Sequence, residues 1–160
     1  MPVRVRDMAQ PDYTIRRAVP ADLDALIALE RAAFTTDHLS RRQYAKHLSS
    51  DSARVFAAVD DTGLLGKAVV FFRKGSDIAR LYSIAVDDRA RGRGIAKALL
   101  EKVEGAARAQ GCRRLRLEVS HVNPSAIALY ERLGYHRFGE HREYYENGEH
   151  AWRYEKALSN

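Results

Sequence analysis

The sequence contains very little cysteine and no long apolar run. Cys112 is the only cysteine among 160 residues, so the chain can form neither an internal disulfide framework nor a zinc site of several thiolates, and it fits a reducing compartment. Arg4, Arg6 and Asp7 interrupt the apolar residues after the initiator, which excludes the apolar segment of a signal peptide. No run approaches the roughly 18 apolar residues of a membrane helix. We therefore expect a cytoplasmic protein with no membrane partner.

Two familiar ligand-binding patterns are also missing. The six histidines show no HExxH or paired-ligand spacing, so we expect no metal site. A phosphate-binding loop of the Walker type needs Gly, four residues and then Gly-Lys-Ser/Thr, and that spacing does not occur in the chain. A dinucleotide fingerprint after Gly92 and Gly94 would need a third glycine where Lys97 stands.

Length and charge indicate one basic domain. A chain of 160 residues supports one hydrophobic core, and we expect a flexible leader over residues 1–12 followed by one domain over residues 13–160. Lysine and arginine number 27 against 21 acidic residues, a net charge of +6, which favours an anionic partner. The arginines are scattered and no nucleic-acid module is recognisable, so nucleic acid is not the expected partner.

The apolar periodicity alternates between strand and helix patterns. Leu115, Leu117 and Val119 alternate with polar residues, as in a half-buried strand, and residues 94–110 carry one apolar stripe, as in a helix. An Asp-Asp-Thr-Gly turn separates two β-rich runs at residues 54–59 and 64–72, which favours a hairpin. The whole pattern predicts the element order βααβββαβαββ and a mixed α/β fold.

The most informative segment is a glycine turn between a strand and a helix. Ile84, Ala85 and Val86 end the strand, and a run then leads into the long helix: Arg91, Gly92, Arg93, Gly94, Ile95 and Ala96. The free backbone N–H groups at a helix N-terminus form an anion site, and glycine lets a phosphate approach them. Arginine side chains can pair with phosphate oxygens, so the turn suits a pyrophosphate-bearing ligand. An ordinary tight turn before a capped helix is the alternative.

The pattern Arg91-x-x-Gly94-x-Ala96 after Ile84-Ala85-Val86 resembles motif A of the GNAT superfamily of acyl-CoA-dependent N-acyltransferases. The resemblance covers roughly residues 13–157 and implies a mostly antiparallel central sheet flanked by helices. It also implies that amides of Arg91 to Ala96 bind the CoA pyrophosphate and that backbone groups around Ile84 to Val86 pair with the pantetheine arm. Acetyl-CoA is then the expected co-substrate.

A second set of polar residues surrounds the next predicted helix. Asn123 is a good helix cap before Pro124, and Tyr130 lies on the same side of the helix, about 10 Å further along its axis. The Asn-x-x-Ala-x-x-Leu-Tyr pattern again resembles GNAT proteins, in the part that flanks the CoA thiol. The resemblance therefore adds Asn123 and Tyr130 to the expected cofactor-binding residues.

Acetyl transfer to an amine requires a base for the amine proton and a proton donor for the departing thiolate. The ribosomal-protein alanine N-acetyltransferase branch of the family has a strand Glu and a helix Tyr at the spacing of Glu118 and Tyr130. The resemblance implies Glu118 as the base and Tyr130 as the acid. The alternatives are an ion pair of Glu118 with Arg114 or Arg116, and an ordinary core tyrosine at position 130.

The resemblance implies an N-acetyltransferase that moves an acetyl group from acetyl-CoA to a primary amine, at a protein N-terminus or on a small molecule. The aromatic segment Tyr144-Tyr145 resembles the hairpin by which that branch holds its acceptor, although it is also an ordinary hairpin sequence. After Phe34 this chain has Thr35-Thr36-Asp37-His38, without the tryptophan frequent in that branch. A non-catalytic CoA- or nucleotide-binding module of the same fold is the alternative function.

Overall fold

The computed structural model describes residues 12–159, which contain seven strands and four helices. The helices are α1 (Leu23–Ala33), α2 (Arg41–Ser49), α3 (Ile95–Ala109) and α4 (Pro124–Arg132). The strands are β1 (Thr14–Arg17), β2 (Ala53–Asp60), β3 (Gly63–Phe71), β4 (Ile78–Val86), β5 (Arg114–Ser120), β6 (His136–His141) and β7 (Ala151–Ala157). This confirms the predicted order βααβββαβαββ. The predicted leader lies outside the described residues except for Asp12.

Local sequence signals explain where the helices begin. Ser40 accepts a hydrogen bond from the backbone of Gln43, and the Gln43 side chain accepts one in return, so a capping box starts α2. Asn123 accepts from Ala126 N, with Pro124 at the first helical position, and starts α4. Gly94 precedes α3 in a left-handed conformation and offers no side chain to the first turn.

All strands form one sheet in the order β1-β2-β3-β4-β5-β7-β6. Every neighbouring pair is antiparallel except β4 and β5, which run parallel. Their pairing extends from Ile78–Arg114 to Leu81–Leu117 and then ends, although both strands continue. The two strands therefore separate after Leu81, and the sheet opens at this point. The structure confirms the mixed, mostly antiparallel sheet implied by the family resemblance.

Helices cover the two faces of the sheet unequally. On one face α3 and α4 contribute to the larger core, where Leu99, Val103 and Tyr130 pack with Leu117 of β5. On the other face α1 packs on β3 and β4, and α2 packs on β2. This second face is open over β5, β7 and β6. Within residues 12–159 no helix has the length and apolar character required to cross a membrane.

Candidate functional site

A cavity of about 690 Å³ occupies the opening between β4 and β5. Its floor includes residues 81–84 of β4 and residues 117–120 of β5, on either side of the point where the strands separate. The β3 register shifts between Val69 and Val70, so Tyr82 has no partner on β3 and the strand bulges there. The backbone groups of β4 beyond Leu81 that point away from β3 face this opening instead of β5.

Glu118 lies in the wall of the cavity, held between two arginines. Its Oε1 accepts a hydrogen bond of 2.7 Å from Arg80 Nε, and its Oε2 lies 3.7 Å from Arg153 Nε. The side chain is only 7% exposed. Arg80 also donates to the Tyr144 hydroxyl, so the carboxylate, the guanidinium and the phenol form one network. The alternative that Glu118 pairs with Arg114 or Arg116 is therefore wrong. Glu118 does form ion pairs, but with Arg80 and Arg153, whereas Arg114 and Arg116 bind Glu155.

Tyr130 reaches the cavity from α4 and is almost entirely buried. Burial raises the pKa of its phenol above the ordinary value because a phenolate loses solvation in an apolar surround. The hydroxyl therefore keeps its proton at neutral pH. Its ring packs edge to face against Tyr135 at a centroid distance of 5.9 Å. A buried, protonated hydroxyl in a cavity wall can donate to a developing negative charge.

Two loops that are distant in sequence close over the other side of the cavity. Thr35, Thr36 and Asp37 follow α1, and Tyr144 and Tyr145 lie in the β6–β7 hairpin. Asp37 accepts from the backbone N–H of Glu146 at 3.2 Å, and the Asp37 backbone donates to the Glu146 carboxylate in return. The two loops therefore meet, and together they form one wall of the cavity.

A buried ion pair fixes the first of these loops. Lys67 of β3 is fully buried and donates to Glu30 Oε1 of α1 at 2.9 Å. Burial lowers the pKa of Lys67, and the neighbouring carboxylate of Glu30 opposes this shift. Glu30 also accepts from the Tyr44 hydroxyl and from Leu39 N. The Leu39 end of the 34–39 segment is thus tied to β3 through the Glu30 carboxylate.

The glycine turn before α3 has the backbone expected of an anion site. Gly92 and Gly94 have φ values of +82° and +75°, and a Cβ at either position would meet nothing within 4 Å. The space above the turn is therefore open, and the first amides of α3 have no side-chain cap. Arg93 is bound to Asp12 and Asp60. The Arg91 guanidinium is 73% exposed and contacts Asp88, so it can exchange that contact for a phosphate.

Comparison with known proteins decides the family. The acetyltransferase (GNAT) family model matches residues 23–135, which is most of the domain. The chain belongs to the acetyltransferase (GNAT) family. The sequence resemblance noted from the glycine turn and the α4 segment is thereby confirmed.

Three GNAT relatives illustrate the breadth of the match. The N-alpha-acetyltransferase of Saccharolobus solfataricus is 30% identical over 152 residues, covering 88% of this chain and 90% of the relative. The crystal structure of the ribosomal-protein-S18-alanine N-acetyltransferase from Escherichia coli is 29% identical, with a TM-score of 0.81, covering 92% and 95%. The mycothiol acetyltransferase of Salinispora tropica is 39% identical over 149 residues, covering 84% of this chain. The chain spans only about half the length of that relative.

The structure groups the predicted GNAT site residues into two places. Glu118, Tyr130, Asn123 and Ile84 line the cavity. The remaining residues predicted to bind the cofactor do not line it: Ala85, Val86, Arg91, Gly92, Arg93, Gly94, Ile95 and Ala96 continue from the end of β4 into α3. Strand β4 therefore connects the glycine turn with the cavity along the chain.

Sequence reasoning missed Arg80, Lys67 and Glu30. Each lies in an ordinary strand or helix pattern, and its role depends on a partner at least 37 residues away. His121 directly follows β5 but does not line the cavity, and its Nδ1 binds His150 O. Over residues 12–159 no group of three or more potential metal ligands comes together.

Proposed function

We propose that this chain transfers the acetyl group of acetyl-CoA to the α-amine of a polypeptide. The observation that carries the proposal is the cavity between β4 and β5, where a carboxylate (Glu118) and a protonated phenol (Tyr130) line one space. Membership of the acetyltransferase family supports the reaction class. Two relatives that match along nearly their full length are named as an N-alpha-acetyltransferase and as a ribosomal-protein-S18-alanine N-acetyltransferase.

The cofactor side of the proposal rests on the glycine turn. The open space at Gly92 and Gly94 and the uncapped first turn of α3 suit the pyrophosphate of acetyl-CoA, because backbone N–H groups there point toward an anion. The exposed Arg91 adds a cation. The unpaired edge of β4 beyond Leu81 offers strand hydrogen bonds to the amide-containing pantetheine arm. Acetyl-CoA supplies the activated acetyl group.

The protein takes part in two proton movements. The protonated amine first loses one proton. Its nitrogen then bonds to the acetyl carbonyl carbon, the carbon–sulfur bond breaks, the nitrogen releases its second proton to solvent and the sulfur gains one proton. Glu118 accepts the amine proton, directly or through a water molecule. Tyr130 donates a hydrogen bond and then its proton to the departing sulfur, and both groups then return to their starting states by exchange with solvent. The Arg80 and Arg153 contacts keep the Glu118 carboxylate in place.

The acceptor is proposed from the walls of the cavity and from the relatives. The hairpin and the 34–39 segment meet through Asp37 and Glu146, and such a two-loop wall beside the cavity suits the end of an extended chain. A small amine is the second candidate, because the mycothiol acetyltransferase of Salinispora tropica is 39% identical. The free thiol of Cys112 fits a reducing compartment, and the cytoplasm is the location we propose.

The test is a panel of acceptors assayed by release of the CoA thiol. Peptides with different first residues are compared with copies blocked at the α-amine and with small amines. We expect saturable thiol release with some free peptides, none with their blocked copies, and a mass increase of one acetyl group at the N-terminus. Faster turnover of small amines than of every peptide would overturn the acceptor class. Binding of acetyl-CoA without thiol release from any amine would favour the non-catalytic module.

A further inference from the structure

The face of the sheet left open by α1 and α2 carries a set of arginines. Strand β5 buries Leu115, Leu117 and Val119 in the core and turns Arg114, Arg116 and Glu118 to the opposite face. The neighbouring strands add residues to the same face. We define the arginine face by five residues, Arg80 of β4, Arg114 and Arg116 of β5, Arg153 of β7 and Phe138 of β6.

The cations of this face are exposed and its anions are buried. The side chains of Arg114, Arg116 and Arg153 are 31–48% exposed, whereas those of Glu118 and Glu155 are 7% and 11% exposed. Each guanidinium has five N–H donors in a planar fork, and the buried carboxylates engage only some of them. The outer surface therefore presents unused donors and positive charge to an anionic partner.

The arginines are also held in position. Phe138 lies between two of them, with Arg116 and Arg153 at 4.7 and 4.8 Å from its ring centroid. Arg114 Nη1 and Arg116 Nε each bind one oxygen of Glu155, at 3.0 and 2.9 Å. Guanidinium groups fixed by an aromatic ring and a carboxylate lose little conformational entropy when a ligand binds. The Glu155 contacts also show that carboxylates fit the spacing of this pair.

The arginine face continues directly from the cavity. Arg80 and Arg153 bind Glu118, and Arg80 binds Tyr144, and both of these partners line the cavity. From Glu118 the face runs back along β5 to Arg116 and Arg114. At about 3.3 Å per residue in an extended strand, this distance corresponds to roughly four residues of an extended acceptor. A polypeptide with its α-amine in the cavity would thus place its following residues over the arginines.

We propose that the arginine face binds acidic side chains of the acceptor polypeptide, at about positions four to seven, which follow the first residues held in the cavity, and so selects acceptors with an acidic segment after the N-terminus. This proposal rests on the proposed function, because it assumes a polypeptide acceptor. Charge complementarity and continuity with the cavity favour an acidic polypeptide over a nucleic acid, which has no α-amine to place beside Glu118.

The test compares two peptides with identical first three residues, one with Glu and one with Gln at positions four to seven. We expect the kcat/KM of the Glu peptide to be about tenfold higher, since several charge-assisted contacts act together. Arg116→Gln should reduce this ratio to about threefold or less, and 0.5 M salt should do the same by screening. Acetylation of the isolated tripeptide should be unchanged in Arg116→Gln.

Arg42→Gln is the matched control, because Arg42 is an exposed arginine of α2, which packs on β2 at the other end of the sheet. It should keep the full preference for the Glu peptide. Arg114→Gln is the second variant and should lower the preference as Arg116→Gln does, with Glu155 still paired by the remaining arginine. Equal kcat/KM values for the two peptides in the unaltered protein would overturn the proposal. An undiminished preference in both variants would overturn it as well.

Binding separates a failure of this proposal from a failure of the proposed function. A fluorescent Glu peptide blocked at its α-amine cannot be acetylated, and its binding is measured by anisotropy. Arg116-dependent binding without turnover of any free peptide would support peptide binding at the arginine face and contradict the proposed acetylation of polypeptides. Turnover of free peptides without a difference between the Glu and Gln peptides would support acetylation of polypeptides and contradict the role of the arginine face. Tighter, Arg116-dependent binding of an RNA oligomer of equal charge would overturn the polypeptide as the occupant.

Discussion

The hydroxyl group of Tyr130 can be removed with little effect on packing. None of the hydrogen bonds found within residues 12–159 involves that hydroxyl, so Tyr130→Phe leaves no described partner unsatisfied. We expect kcat to fall about 100-fold, within the usual range for loss of a general acid, with the thermal midpoint nearly unchanged. Because burial raises the pKa of this phenol, kcat should show no alkaline decline from its ionisation up to about pH 10. Initial rates and thermal unfolding measure both quantities.

Tyr135→Phe is the control for Tyr130. Its ring packs against Tyr130, but its hydroxyl donates to buried Glu104 at 2.6 Å. Loss of this hydrogen bond to a charged group should lower the free energy of unfolding by about 2 kcal/mol and leave kcat unchanged. A large fall of kcat in Tyr135→Phe together with a normal Tyr130→Phe would remove Tyr130 as the proton donor.

Glu118 offers a test in which the pH dependence identifies the role. If Glu118 is the base, Glu118→Gln should lower kcat/KM about 100- to 1000-fold at pH 7. The loss should shrink as the pH approaches the pKa of the acceptor amine, about 8 for an α-amine, because the amine then loses its proton to solvent. A loss of constant size from pH 6 to pH 9 would instead assign Glu118 to the positioning of Arg80 and Arg153.

Glu155→Gln is the matched control for Glu118. Glu155 is also a nearly buried carboxylate between two arginines on the same face of the sheet, and it does not line the cavity. With a tripeptide acceptor, which is too short to cross the arginine face, Glu155→Gln should keep the kcat/KM of the unaltered protein.

At the scale of elements, Gly66 determines how closely α3 approaches the sheet. A Cβ at this β3 position would lie 3.0 Å from Ala85 O of β4 and 3.1 Å from Ile95 of α3. The Gly66→Ala variant therefore pushes the Ile95 side chain away by a few tenths of an ångström, and we expect the start of α3, which directly follows the glycine turn, to shift with it. We expect a loss of about 1–3 kcal/mol in the free energy of unfolding and a several-fold higher KM for acetyl-CoA. Denaturant unfolding and initial rates measure the two effects.

Gly105→Ala tests whether the effects of Gly66→Ala come from the close contact of position 66 with Ile95 and Ala85. Gly105 lies within α3, and a Cβ there would meet nothing within 4 Å. Since alanine favours a helix over glycine, Gly105→Ala should stabilise the protein by about 0.5–1 kcal/mol without changing the KM for acetyl-CoA. An unchanged KM in Gly66→Ala would mean that the position of the turn does not depend on this close approach.

At the scale of the whole molecule, the features that can be predicted from the sequence are those that depend on residues close together in the chain, namely helix starts and the buried faces of strands. Ser40 and Asn123 predict helix starts because their side chains cap the next turn, and the alternation around Leu117 predicts a buried strand face. The contacts Arg80–Glu118 and Asp37–Glu146 join residues 38 and 109 positions apart. They depend on strand register and on the opening between β4 and β5, which no local pattern encodes.

The short parallel pairing of β4 and β5 joins two antiparallel halves of the sheet, and each half comes from one continuous part of the chain. Strands β1 to β4 and helix α3 come from residues before Gln110, and strands β5 to β7 and helix α4 come from residues after Gly111. Only four residue pairs join the two antiparallel halves within the sheet. The glycine turn belongs to the first half, and Glu118 and Tyr130 belong to the second. The relative placement of these two contiguous halves of the chain therefore sets the spacing between the glycine turn and the pair Glu118 and Tyr130.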